Sequence, residues 1–260
     1  MKTFSFFNNK MTIKEVLAKC LRIPRKLRKI FYIRWNRLVF WLNGAQFGKN
    51  MQVYNRFYLD KNPKARLTIG NDFIFTSGEA HNTLCRNIRG CMFLPFPESV
   101  IEIGNDSGIS SACLWAKARI TIGDRVKIGG DCILMDTDAH NLDYRVRGSG
   151  EMEGKFSKDS LTAASAPIVI GDDVLIGTRC IILKGVTIGA RSIIAAGSVV
   201  TKSIPADCIA GGNPAKVIKS STKCNCNVSS QEESVLKVCR GVIKDNIDYQ
   251  LSSIFIVNAA

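Results

Sequence analysis

Histidine is nearly absent from this sequence: 260 residues hold two, His81 and His140. A catalytic zinc site built on three imidazoles has too few ligands here, and no metal is expected. Cysteine is not scarce, at ten, but no two have the C-x-x-C spacing of a zinc or redox motif. The cysteines are scattered singly, which fits core packing in a reducing compartment better than a disulfide framework. Cys224 and Cys226 sit together in a polar tail, too isolated for a metal site. No apolar run reaches the ~18 residues that cross a bilayer. The first residues, with Lys2, Phe4, Phe6 and Phe7, lack the continuous apolar stretch of a signal peptide. A cytoplasmic protein is the expectation, with room for a peripheral place at the inner face of the membrane.

Acidic residues are missing from one region in particular. Residues 1–43 carry eleven lysines and arginines against Glu15 alone, a net +10 out of +14 for the chain. The remainder is close to balanced, and no RNA-binding motif accompanies the charge, so nucleic acid is not an expected partner. Thr12 to Glu15 has the spacing of a capping box, and Ile13, Val16, Leu17, Cys20 and Leu21 follow at helical spacing. Pro24 is expected to end or kink that helix. A second helical pattern places Leu27, Ile30, Phe31, Trp35, Leu38 and Leu42 on one stripe, with Tyr32 and Trp41 interleaved among cations. That stripe has two readings. It caps the open end of the fold that follows, or it lies on an anionic membrane surface.

What is abundant is a repeat. From Ile170 to Pro205 the sequence reads in sixes: IGDDVL, IGTRCI, ILKGVT, IGARSI, IAAGSV, VTKSIP. Ile170, Ile176, Ile182, Ile188, Ile194 and Val200 hold the first place. Val174, Cys180, Val186, Ser192, Ser198 and Ile204 hold the fifth. A period of six fits neither a helix nor simple strand alternation. It fits short parallel strands joined by tight turns, three to a triangular coil, with the first residue pointing into a narrow core. Gly171, Gly177, Gly189 and Gly197 recur where the backbone bends or is closely approached.

Weaker copies occur upstream. Phe47-Gly48 and Val53 hint at early coils before Asn62-Pro63, and Ile69-Gly70 restarts the pattern. A slack segment from Gly78 to Pro97 follows, holding His81, which reads as a surface residue. Ile103 and Ile109 resume the sixes, a single-residue slip falls around Trp115 and Ala116, and Ile122, Ile128 and Leu134 keep phase. Residues 135–167 break the period and read as a loop thrown out from the coil. Leu134 and Ile170 are 36 residues apart, a whole number of sixes, so the coil is expected to resume in register. After Pro214 the repeat ends. Residues 220–260 form a tail with one short helical pattern, Glu232 to Ile243, and no legible function.

The run 170–205 and its continuation AGSVVTKSIPADCIAGGNPAKVIK, Ala196 to Lys219, resemble the hexapeptide-repeat acyltransferases. The resemblance points to the maltose and galactoside O-acetyltransferases and, more nearly, to those acting on surface polysaccharides. It covers about residues 45–219 and is specific over 168–219. It implies an all-β solenoid, a left-handed parallel β-helix. The expected organisation is a basic helical segment at 1–43, the β-helix at 44–219 with an active-site loop at about 139–167, and a tail at 220–260. It also implies acetyl-CoA as acyl donor, a sugar or glycan acceptor, and a homotrimer whose active sites lie between adjacent β-helices.

His140 stands where regular coil gives way to loop, flanked by Asp136, Asp138 and Asp143. Acyl transfer to a hydroxyl needs a base that works near neutral pH, and histidine is the side chain suited to it. In the resembling enzymes the histidine at this place is the general base. The flanking carboxylates or a backbone carbonyl would fix its tautomer, and the sequence does not choose among them. By the same resemblance, Thr178, Ala196 and Thr201 match contacts to the pantetheine arm, with Thr178 also helping to hold an oxyanion. Lys202 and Lys219 match cations near the nucleotide phosphates, assisted by Lys216. Ser110 and Asp143 match the acceptor side. The family usually has Trp where this chain has Leu175.

The expected activity is therefore an acetyl-CoA-dependent O-acetyltransferase on a sugar or glycan precursor, in surface polysaccharide or lipopolysaccharide synthesis. Its rivals are an N-acyltransferase on an amino sugar, a serine O-acetyltransferase, and a non-enzymatic β-helix scaffold. A metal-dependent hydratase on the same solenoid fails on its histidine count.

Overall fold

The computed structural model describes residues 4–6, 9–21, 23–78 and 89–220. His81 and the tail from residue 221 on, with the helical pattern at 232–243, lie outside the described residues.

Three sheets of parallel strands wrap around one axis as a triangular prism. The first face runs through Gln46–Phe47, Arg66–Ile69, Val100–Ile103, Arg119–Ile122, Ile168–Ile170 and Thr187–Ile188. The second begins at Gln52–Tyr54 and continues through Ile74–Thr76, Gly108–Ser110, Lys127–Ile128, Leu175–Ile176 and Ile193–Ile194 to Cys208–Gly212. The third holds Phe57–Lys61, Gly90–Leu94, Cys113–Trp115, Ile133–Met135, Ile181–Leu183 and Val199–Val200. Within these three sheets, among the described residues, only the last strand, Ala215–Ser220, runs antiparallel to its neighbour, closing the C-terminal end of the second face.

The period of six becomes three stacked ladders of buried side chains. Ile69, Ile103, Ile122, Ile170 and Ile188 pair down the first face. Phe75, Ile109, Ile128, Ile176 and Ile194 pair down the second. Met92, Leu114, Leu134, Ile182 and Val200 pair down the third. All are buried, so each coil is stabilised by the coils above and below it. The small fifth-place residues Val174, Cys180, Val186, Ser192 and Ser198 are buried at the corners.

Two devices hold the corners. Third-place side chains accept the amide of the preceding coil: Asp124 from Asn105 at 2.6 Å and Asp172 from Asp124 at 2.9 Å. The fourth place turns through left-handed backbone, as at Asp173 (φ 58°) and Arg191 (φ 60°). The second-place glycines answer close approach instead. A Cβ on Gly123 would lie 2.9 Å from the carbonyl carbon of Gly171, and one on Gly177 would lie 2.5 Å from the amide of Ala196.

The structure corrects three details of the sequence reading. Gly90–Leu94, inside the segment read as slack, is a full third-face strand that buries Met92 and Leu94. Its alternation lacks the Ile-Gly opening that marks the other coils. At the slip, Leu114 and not Trp115 takes the ladder position, so the corner before it is one residue short and the corner after it two residues long. Ile204, read as a fifth-place residue, bridges Ile188 and joins the first-face ladder because the corner after Val200 is two residues short. The first helix stops ahead of Pro24, as expected. Helix α1 spans Ile13–Leu21, and Pro24 lies in the first turn of helix α2, Ile23–Leu42, where a missing amide costs nothing.

Helix α2 closes the N-terminal end of the prism through a face other than its apolar stripe. Phe40 is fully buried, and Asn36 Nδ2 donates to the carbonyls of Val53 (2.8 Å) and Asn55 (2.9 Å). Among the described residues no helix is long and apolar enough to cross a membrane.

Candidate active site

The coil breaks after the third-face strand Ile133–Met135 and resumes at Ile168–Ile170, paired to Ile120–Ile122 as if nothing intervened. The excursion between them carries two short helices, α3 (Tyr144–Arg147) and α4 (Lys158–Thr162). Ala139, with a φ of 62° unusual for a residue bearing a Cβ, turns the chain, and Thr137 Oγ1 accepts its amide at 3.1 Å.

His140 follows. Its Nδ1 donates to Oδ2 of Asp159 at 2.6 Å, and Oδ1 of the same carboxylate accepts the amide of Asn141 at 2.6 Å. The imidazole side chain is 67% exposed, whereas Asp159 is 13% exposed. The hydrogen bond from His140, with the Asn141 amide behind it, holds the Asp159 carboxyl below the usual carboxylate range. An ionised acceptor at Nδ1 fixes the proton there and leaves Nε2 as a free base facing outward.

None of the flanking carboxylates does this. Asp136 is fully buried and accepts the amides of Lys117 (2.6 Å) and Ala118 (2.8 Å), and burial raises its pKa. Asp138 pairs with Lys184 Nζ at 2.6 Å. Asp143 caps α3, accepting the Arg145 amide at 2.9 Å, and pairs with the Arg145 guanidinium. The partner is Asp159, 19 residues from the histidine, where no motif in the sequence marks it. The one local signal was Ser157, two residues ahead, which caps α4 and fixes where Asp159 points.

Helix α4 is held at its other end by a buried lysine. Lys117 Nζ donates to the carbonyls of Ser160, Leu161 and Ala163, each at 2.7 Å, and lies over the ring of Phe96. Burial lowers its pKa. Lys117 comes from the lengthened corner after Trp115, so the slip in the repeat supplies the anchor of the loop.

The other sequence-predicted residues fall on different parts of the prism. Ser110, Thr178 and Ala196 lie along the edge between the second and third faces. There the chain is small: Gly129 backs onto Thr178 and Gly177 onto Ala196, and Ser110 Oγ accepts from Thr76 at 3.1 Å. Thr201 and Lys202 are exposed on the edge between the third and first faces, the edge from which the His140 loop also leaves. Lys219 and Lys216 are exposed on the closing strand of the second face, where Lys219 pairs with Ile209. Leu175 is half-buried on the second face beside Ile193. Within one chain, His140 and Lys202 thus share one edge, and Thr178 and Ala196 share another. No cluster of three or more metal-ligating side chains occurs among the described residues.

By repeat and topology the chain is a left-handed parallel β-helix of hexapeptide repeats. The family model described as the hexapeptide repeat of succinyl-transferase matches residues 167–202. The sequence resembles the hexapeptide-repeat acyltransferases. Galactoside O-acetyltransferase of Escherichia coli (strain K12) is 42% identical over 100 residues, 38% of this chain and 43% of that protein. A 2,3,4,5-tetrahydropyridine-2,6-dicarboxylate N-acetyltransferase of Staphylococcus aureus (strain JH9) is 47% identical over 60 residues, 23% of this chain and 25% of that protein. The chain spans less than half the length of these curated relatives. In fold it is similar to a mutant of AntD, an N-acyltransferase from Bacillus cereus solved with dTDP and coenzyme A. That likeness has a TM-score of 0.50 and 18% identity over 77% of this chain and 91% of AntD.

Proposed function

We propose that the protein is an acetyl-CoA-dependent O-acetyltransferase that acts on a hydroxyl of a sugar or glycan precursor in surface polysaccharide or lipopolysaccharide synthesis. The observation that carries this reading is the His140–Asp159 dyad at 2.6 Å, with Nε2 open at a prism edge. Nε2 takes the proton of the acceptor hydroxyl as its oxygen attacks the thioester carbonyl carbon. The tetrahedral oxyanion is held by backbone amides and the Thr178 hydroxyl. The C–S bond then breaks, and coenzyme A leaves with the proton returned by the imidazolium. Asp159 keeps the imidazole in the tautomer that accepts at Nε2 and stabilises its charged form.

Thr178 and Ala196, proposed to line the pantetheine arm, sit on a different edge of the prism from His140. One chain therefore presents two half-sites. A three-fold assembly of parallel prisms brings the base edge of one copy against the coenzyme edge of the next, which is the homotrimer that the resemblance implies. Lys202 and Lys219 would then face the nucleotide phosphates, with Ser110 and Asp143 on the acceptor side.

The second reading is N-acylation of an amino sugar, favoured by the likeness to a named N-acetyltransferase over 60 residues. The experiment that separates the readings incubates purified protein and acetyl-CoA with matched sugars and amino sugars while measuring free thiol. An ester product is cleaved by mild alkali and an amide is not. Thiol release only with amino sugars, giving an alkali-stable product, would replace the O-acetyl reading. No release with any acceptor would favour the scaffold.

A further inference from the structure

Helix α2 leaves an apolar face uncovered. Because Asn36 and Phe40 point into the prism, the 100° step per residue puts Leu27, Phe31, Trp35 and Leu38 on the opposite side. Leu27 is 62% and Phe31 57% exposed, and Phe31 and Trp35 stack nearly parallel with ring centres 6.1 Å apart. With Ile30 and Arg34 these side chains line a shallow groove along the helix. The sequence offered this stripe as a cap for the open prism, and the structure assigns capping to another face.

The charge around the groove selects its occupant. Helix α2 carries Arg25, Lys26, Arg28, Lys29, Arg34 and Arg37 and no acidic residue. Some are engaged by the prism: Arg28 donates to Asn55 at 2.6 Å, and Lys29 lies over the Tyr54 ring. Arg34 lies within the stripe and Lys26 beyond Ile30 at its margin, and both are exposed. A second copy of the same helix laid against the groove would bring like charges together. An anionic lipid surface instead supplies both requirements, acyl chains for the aromatic and aliphatic side chains and phosphates for the cations beside them.

We propose that the exposed face of helix α2, centred on Phe31 and Trp35, docks flat on an anionic bilayer. The prism then stands away from the membrane, with its N-terminal end nearest the lipid. This surface is separate from the His140 loop and does not depend on the acetyltransferase reading.

The test is co-sedimentation of the purified full chain with vesicles of phosphatidylcholine alone and of phosphatidylcholine with a third phosphatidylglycerol. The expected result is binding to the anionic vesicles at least about tenfold tighter than to the neutral ones, lost toward 0.5 M salt as the cations are screened. The double variant Phe31→Ser/Trp35→Ser should weaken binding to the anionic vesicles about tenfold or more, because its stripe has little left to insert. Its oligomeric state by sedimentation velocity and its thiol release should be unchanged. Equal binding by wild type and double variant, or no binding of the wild type at low salt, overturns the proposal. A double variant that falls apart into monomers assigns the face to a second copy. Vesicle binding without turnover would refute the enzyme reading and leave this one standing.

Discussion

His140 and Asp159 make the sharpest prediction at the scale of single residues. His140→Ala should lower kcat by ~10²–10⁴ with the prism intact, since the side chain is 67% exposed and leaves no core cavity. Steady-state kinetics and circular dichroism on the same sample check both halves. Asp159→Asn should keep the fold but favour the wrong tautomer, so kcat should fall while KM for acetyl-CoA stays. The folded pKa of Asp159 is depressed, chiefly by His140, so its contribution to stability is present above the ordinary carboxylate pKa and lost as pH falls through the lower folded value. The melting temperatures of wild type and Asp159→Asn should therefore differ at neutral pH and converge in acid. A constant difference across that range would remove the carboxylate from the account. His140 was marked as the candidate base by the family resemblance, at the break in the repeat. Asp159 was not, because a hydrogen bond across 19 residues of irregular loop leaves no periodic trace.

At the scale of elements, the loop depends on Lys117. Three carbonyls at the C-terminal end of α4 converge on one ammonium, and the other end of that five-residue helix carries Asp159. Lys117→Met should cost about 1–3 kcal/mol, as buried carbonyls lose their donor. It should also loosen the dyad, so that kcat falls and KM for acetyl-CoA does not. Urea titration and kinetics test the two effects separately, and an unchanged kcat in the destabilised variant would make Lys117 merely structural. The coils give a complementary prediction. Gly177→Ala places a methyl 2.5 Å from the Ala196 amide, so the stack must open there, at about 1–3 kcal/mol. Ile182→Ala, in the third-face ladder, should cost about 2–5 kcal/mol by leaving a cavity between coils. The ladders were readable because each hexad repeats one environment. The strand Gly90–Leu94 and the helix contacts of Asn36 were not, since each occurs once and depends on what lies across from it.

For the whole molecule, the proposed roles of His140, Thr178 and Ala196 on different edges imply that a monomer would be an incomplete enzyme. Mixed assemblies test this. A His140→Ala chain and a Thr178→Tyr chain should each be inactive alone. After subunits are exchanged by mild denaturation and refolding, a fraction of wild-type activity should return, because some interfaces pair an intact base edge with an intact coenzyme edge. No recovery, with exchange verified by mass, would place the whole site in one chain. The sequence by itself determined the prism: a six-residue period fits short parallel strands stacked three to a coil, and the pattern is plain again from Ile170, which pairs with Ile122 after the loop. It also marked the residues at which chemistry was to be sought. Tertiary structure alone decided which carboxylate meets His140, which lysine holds that carboxylate's helix, and which face of α2 is spent on the prism. Those outcomes rest on single contacts between distant segments, whose geometry is fixed only when the coils have stacked and brought Asp159, Lys117 and Asn36 to their partners.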